Sequence, residues 1–137
     1  MQETYAAIWT TGTWGVWKIS KRRGYYYLTF TDKIFFEEDD VLIYHTPGHT
    51  DDGISILDME DKILFAGDNL ERPIPYRMSK VLNQYMSTLE SYLKIDADII
   101  IGGHTDCEDK DLVRDNLDYV KKVIFGETIE IKSKEFE

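Results

Sequence analysis

The sequence predicts an α/β domain of the α+β type, mainly antiparallel sheet with two or more helices, and three observations carry that reading. Short β-branched or aromatic runs alternate with polar turns through the first half of the chain, as strands joined by hairpins do. Two later stretches repeat their apolar residues at helical spacing. Between them lies one continuous apolar run, Asp98 to Ile101. A chain of 137 residues is expected to form one domain, residues 1–137, and can bury roughly two-thirds of its surface.

From the start of the chain, Met1 to Trp9 suits a short helix or a strand equally well, and Thr10 to Thr13 reads as a loop. Trp14 to Ile19 and Tyr25 to Phe30 form two strands around a turn at Ser20 to Gly24. Basic residues among aromatic ones in this segment would suit a single-stranded nucleic acid, but a solvated hairpin tip is favoured because the rest of the chain is acidic. Lys33 to Glu37 and Val41 to Tyr44 make a second hairpin, turning through Glu38-Asp39-Asp40. Gly53 to Leu57 and Lys62 to Ala66 make a third, turning through Asp58 to Asp61, so the middle of the chain is an antiparallel meander.

Pro73 and Pro75 exclude a regular helix or central strand over Glu71 to Arg77. That segment is either a substrate-side loop or a plain connection from sheet to helix. Val81, Leu82, Tyr85, Met86, Leu89, Tyr92 and Leu93 then fall on one face of a helix, with Ser79 as its N-cap. Asp106 or Asp109 caps a second helix with Leu112, Val113, Leu117, Val120 and Ile124 on its buried face and Gly126 as its stop. Glu127 to Lys132 alternates like a last strand, and the remaining residues are expected to fray.

Sixteen basic against 26 acidic residues give a formal net charge of -10, which argues against nucleic acid or an anionic membrane as a partner. A single cysteine, Cys107, excludes an internal disulfide and suits a reducing, cytoplasmic setting. Neither a signal peptide nor a membrane span is expected, since no run of about 18 apolar residues is present.

The residues with chemistry in them gather at strand ends. Val41 to Tyr44 leads into His45 and His49, Lys62 to Ala66 into Gly67 and Asp68, and Asp98 to Ile101 into Gly102-Gly103-His104. These loops hold all three histidines of the chain. Loops at one edge of a sheet lie side by side, so ligands placed there can converge. Pro47 and Gly48 exclude a helix between His45 and His49 and give the segment turn chemistry, with glycine free to take φ > 0 and aim His49 over the sheet. Imidazole and carboxylate together suit zinc, with iron or manganese as alternatives. Asp68 brings the charge and the two oxygens needed to bridge a pair of ions.

Thr46-Pro47-Gly48-His49-Thr50, Leu64-Phe65-Ala66-Gly67-Asp68 and Ile101-Gly102-Gly103-His104 resemble, in order, the later motifs of the metallo-β-lactamase superfamily. The resemblance runs from about Leu28 to about Val120 and implies one half of an αββα sandwich, mostly a fold of metal-dependent hydrolases. It implies that His49 is similar to the third histidine of the family's first metal site, Asp68 to the bridging carboxylate and His104 to the last histidine of the second site. The family's His-x-His-x-Asp-His signature is absent, for no histidine precedes His45. Asp51 stands where the family prefers a small residue or proline, which leaves Asp51, Asp52 and Cys107 as candidate replacement ligands, although solvated carboxylates and a partly buried thiol are the readings favoured.

By that carry-over each metal keeps only two protein ligands, where a catalytic zinc usually has three and a water. A truncated metallo-β-lactamase-like domain with a weak metal site, inactive alone, is therefore expected; a non-catalytic binding or assembly module on the same half-fold is the alternative. Half a sandwich leaves an apolar sheet face to be covered. With three Trp, nine Tyr and six Phe in the chain, a homodimer or a complementary half-domain chain is expected to cover it.

Overall fold

The structure, a computed structural model, describes residues 5–10, 17–21, 24–30, 32–75 and 82–126, the first three of these segments as backbone. Strands β1 (Tyr5–Thr10), β2 (Trp17–Lys21) and β3 (Gly24–Phe30) pair antiparallel in the order β1-β2-β3. The opening segment that suited helix or strand is thus a strand. Of the other expectations, the loop after Thr10, the N-cap at Ser79 and the strand from Glu127 to Lys132 lie outside the described residues.

A second sheet holds β4 (Lys33–Phe36), β5 (Val41–His45), β6 (Ile54–Asp58), β7 (Ile63–Gly67), β8 (Ile99–Gly102) and β9 (Cys107–Glu108) in sequence order. From β4 to β7 it is the antiparallel meander that the polar turns predict. Asp40 (φ 54°) and Lys62 (φ 56°) take left-handed backbone in the two tight turns, a conformation that aspartate tolerates better than lysine. The carbonyl of Lys62 accepts the amides of Asp98 and Ile99 at 2.8 and 3.2 Å, tying that turn to the start of β8.

Between β7 and β8 the chain crosses over through helix α1 (Leu82–Lys94), so these two strands pair parallel, with Ile63 beside Ile99 and Phe65 beside Ile101. Helix α2 (Lys110–Phe125) follows β9. Its N-cap is Asp109, whose side chain accepts the amide of Asp111, and its C-cap is Gly126 at φ 68°. Lys110 donates to the carbonyls of Leu93 and Ile95, satisfying groups at the end of α1 from the start of α2.

Period-two alternation divides the sheet residues between two faces. On one face Leu57, Leu64, Ala66 and Ile100 pack with Tyr85, Leu89 and Tyr92 of α1 and with Leu112, Val113, Leu117 and Val120 of α2. On the other face Ile43 gathers Ile34, Phe36, Val41, Ile54 and Ile56, with no described helical residue in the cluster. Phe65 and Ile99 alternate out of the helix-covered core and stay 40% and 37% exposed.

Candidate metal centre

Each candidate ligand is positioned by backbone packing that the local sequence dictates. His45 ends β5, and Thr46 then turns the chain, donating its amide to Gly53 at 2.9 Å. Asn69 organises the loop that follows. Its side-chain oxygen accepts the His49 amide at 2.8 Å, while its NH2 donates to the Thr46 carbonyl at 2.8 Å and to the Tyr92 hydroxyl at 2.9 Å. Thr88 donates to the Pro47 carbonyl at 2.6 Å, and Tyr85 donates to the Asn69 carbonyl at 2.6 Å. A Cβ at Gly48 would stand 2.5 Å from the Tyr85 ring and 2.6 Å from the Asn69 oxygen. Glycine is therefore needed here for room. The positive φ that turn chemistry suggested is found at Gly67 and Gly126 and not at Gly48.

Gly67, at φ 56°, ends β7 and releases Asp68 into a tight turn. The Gly67 carbonyl accepts the Gly103 amide at 2.8 Å, so the loops after β7 and β8 are joined directly beneath the candidate ligands. A Cβ on Gly103 would collide with Asp68 Oδ1, and one on Gly102 with the Leu70 carbonyl oxygen. The paired glycines before His104 are thus the condition for bringing His104 beside Asp68.

The three ligands expected from the sequence meet around one carboxylate. His104 Nε2 lies 3.3 Å from Asp68 Oδ1, and His49 Nε2 lies 3.8 Å from Asp68 Oδ2. The His49 side chain is 17% exposed and that of His104 74% exposed, so one side of Asp68 is enclosed and the other open to solvent.

Glu71 is the candidate that sequence reasoning missed. Asp68, Glu71 and His104 each present a ligand atom within 4.8 Å of the other two, the one such trio among the described residues. Asp51, Asp52 and Cys107 are not in it. His45 points its Nε2 to the Asp51 carbonyl at 2.7 Å, and Cys107 is exposed on β9, not partly buried as expected. Glu71 is fixed from α2. Its amide donates to the buried Asn116 side chain at 3.0 Å, and the NH2 of Asn116 donates back to the Glu71 carbonyl at 2.9 Å. A polar residue at position 116, within the buried stripe of α2, was the available signal.

The donor chemistry fits a divalent metal. Nitrogen and oxygen ligands bound at about 2.0–2.2 Å stand roughly 3–4 Å from one another around the ion, close to the 3.3 and 3.8 Å that separate the histidines from Asp68. Carboxylates with imidazole suit zinc, iron and manganese.

Comparison with known proteins agrees with the fold. The family model described as "Metallo-beta-lactamase superfamily" matches residues 3–104, ending at His104 and beginning earlier than the motifs alone suggest. Among solved structures, the metallo-beta-lactamase DIM-1 exposed to ceftazidime is 19% identical with a TM-score of 0.55, covering 67% of this chain and 45% of its own. A metallo-beta-lactamase from Pontibacter korlensis gives 18% and 0.52, covering 65% and 45%. A metallo-beta-lactamase family protein from Thermus thermophilus gives 20% and 0.53, covering 69% and 33%. The chain belongs to the metallo-beta-lactamase superfamily. It spans about half the length of the first two of these structures and a third of the last.

Proposed function

We propose that the chain is the metal-binding, hydrolase-like half of a metallo-β-lactamase domain, with His49, Asp68 and His104 as metal ligands, whose active centre is completed by another polypeptide. The observation that carries this reading is the division of Asp68, one oxygen toward His49 and the other toward His104. A carboxylate so placed suits a bridge between two ions. Zinc is the proposed occupant, with iron or manganese as alternatives. A bound cation would supply Lewis-acid polarisation of a water or a substrate oxygen. The chain's own residues hold the ligands in place through Asn69 and the Gly67–Gly103 link, and no His-x-His-x-Asp-His motif is present to complete both ions. The chain alone is therefore expected to have no appreciable hydrolase activity. A screen of thioester, phosphodiester and lactone substrates with added zinc tests this. Metal-dependent turnover by the pure chain, abolished in Asp68→Ala, would contradict it.

A second reading, an assembly module acting as a homodimer, is favoured by the apolar strand face that carries exposed Phe65 and Ile99. The two readings are compatible, since an ion site short of ligands gains from a second chain nearby. No described helix is long and apolar enough to cross a membrane, and a reducing, cytoplasmic setting is proposed from the free, exposed Cys107.

A further inference from the structure

We propose that Glu71 is a metal ligand, and that Asp68, Glu71 and His104 hold one divalent cation within this chain alone. The inference rests on the reading of the Asp68 cluster as a metal centre and deepens it. Two ligands per ion would leave both positions weak, yet the two sides of Asp68 differ. On one side His49 faces the carboxylate at 3.8 Å. On the His104 side a second carboxylate joins, and all three ligand atoms lie within 4.8 Å of one another.

Glu71 reaches that position through the turn after β7. Leu70 donates its amide to Gly67 at 3.4 Å and Asn69 donates to Ala66 at 3.3 Å, which curls the chain so that residues 68 and 71 return to the same side. Asn116, 1% exposed, then clamps both backbone groups of Glu71. The clamp acts on the main chain and fixes where the Glu71 side chain leaves it. Fixing a ligand's backbone in advance lowers the ordering cost of binding.

Electrostatics supports the same assignment. Asp68 and Glu71 place two carboxylates close together, and like charges at this range repel. A divalent cation between the three groups turns that repulsion into attraction. Three protein ligands with solvent-open positions remaining is also the pattern of a site that keeps a water.

The test uses Mn2+ as a probe, followed by the loss of the free-ion electron paramagnetic resonance signal, with Zn2+ as competitor. Wild type, Glu71→Gln and His104→Ala are compared as purified full chains. Glu71→Gln keeps the backbone groups that Asn116 holds, and circular dichroism checks that the fold is retained. Wild type should bind one equivalent of Mn2+ that Zn2+ displaces. Glu71→Gln should weaken binding by about tenfold or more, on the scale of lost metal-site partners. His104→Ala should lose it. Unchanged binding in Glu71→Gln together with loss in His104→Ala would remove Glu71 from the site and leave the metal centre standing. Absence of binding in wild type would overturn both.

Discussion

Tyr92 and Asn69 show how few side chains hold the candidate centre in place. The Tyr92 hydroxyl bonds Ser55 and receives the Asn69 NH2, while Asn69 in turn grips both ends of the Thr46–His49 segment. Burial, with smaller contributions from neighbouring charges, raises Tyr44 and Tyr85 above their ordinary value of 10.0, and burial likewise raises Tyr92 against the opposing pull of its hydrogen bonds. In the unfolded chain these phenols ionise near 10, whereas the folded chain keeps their protons, so above that pH the unfolded state binds fewer protons and stability falls. Below 10 the contribution is complete. Chemical unfolding midpoints measured from about pH 8 to pH 11 should be level at first and decline once the ordinary tyrosine range is entered. A level midpoint throughout would show that these phenols are not sealed in the core.

At the level of elements, the strands of the meander were legible because each is a short β-branched run closed by acidic turn residues, and Val41 to Tyr44 falls within one residue of β5 (Val41–His45). Helix α2 was legible to its C-cap, Gly126, and to a choice of Asp106 or Asp109 at its N-cap, of which the structure has Asp109, since capping is decided by local backbone chemistry. Strand β9 was not, because two residues show no periodicity; pairing of Cys107 with Ile101 and Glu108 with Ile100 makes it a strand. Asp98 to Ile101 read as an evenly apolar run, yet Ile100 is fully buried while Ile99 is 37% exposed. Alternation around β8 decides which of its isoleucines meets the helices, and a run of identical residues cannot reveal it. For the site, His49, Asp68 and His104 were visible because each follows a strand and a glycine. Glu71 was hidden because its placement depends on Asn116, 45 residues away in the chain.

For the whole molecule, the strand face opposite the helices leaves Phe65 and Ile99 exposed, while Ile43 on the same face is buried. Apolar burial is worth about 25 cal/mol per Å2, and a two-fold contact between such faces is the proposed homodimer. Light scattering at micromolar concentration should give twice the chain mass, and Phe65→Asp should shift it toward monomer; a wild-type monomer would contradict the assembly reading. The central claim remains that the loops after β5, β7 and β8 converge on a metal centred on Asp68. Zinc binding measured at equilibrium, by isothermal titration calorimetry on the purified chain, tests it most directly. The account predicts bound zinc in wild type and its loss in Asp68→Asn, with the fold retained. No zinc in wild type, or equal zinc in both, would contradict it.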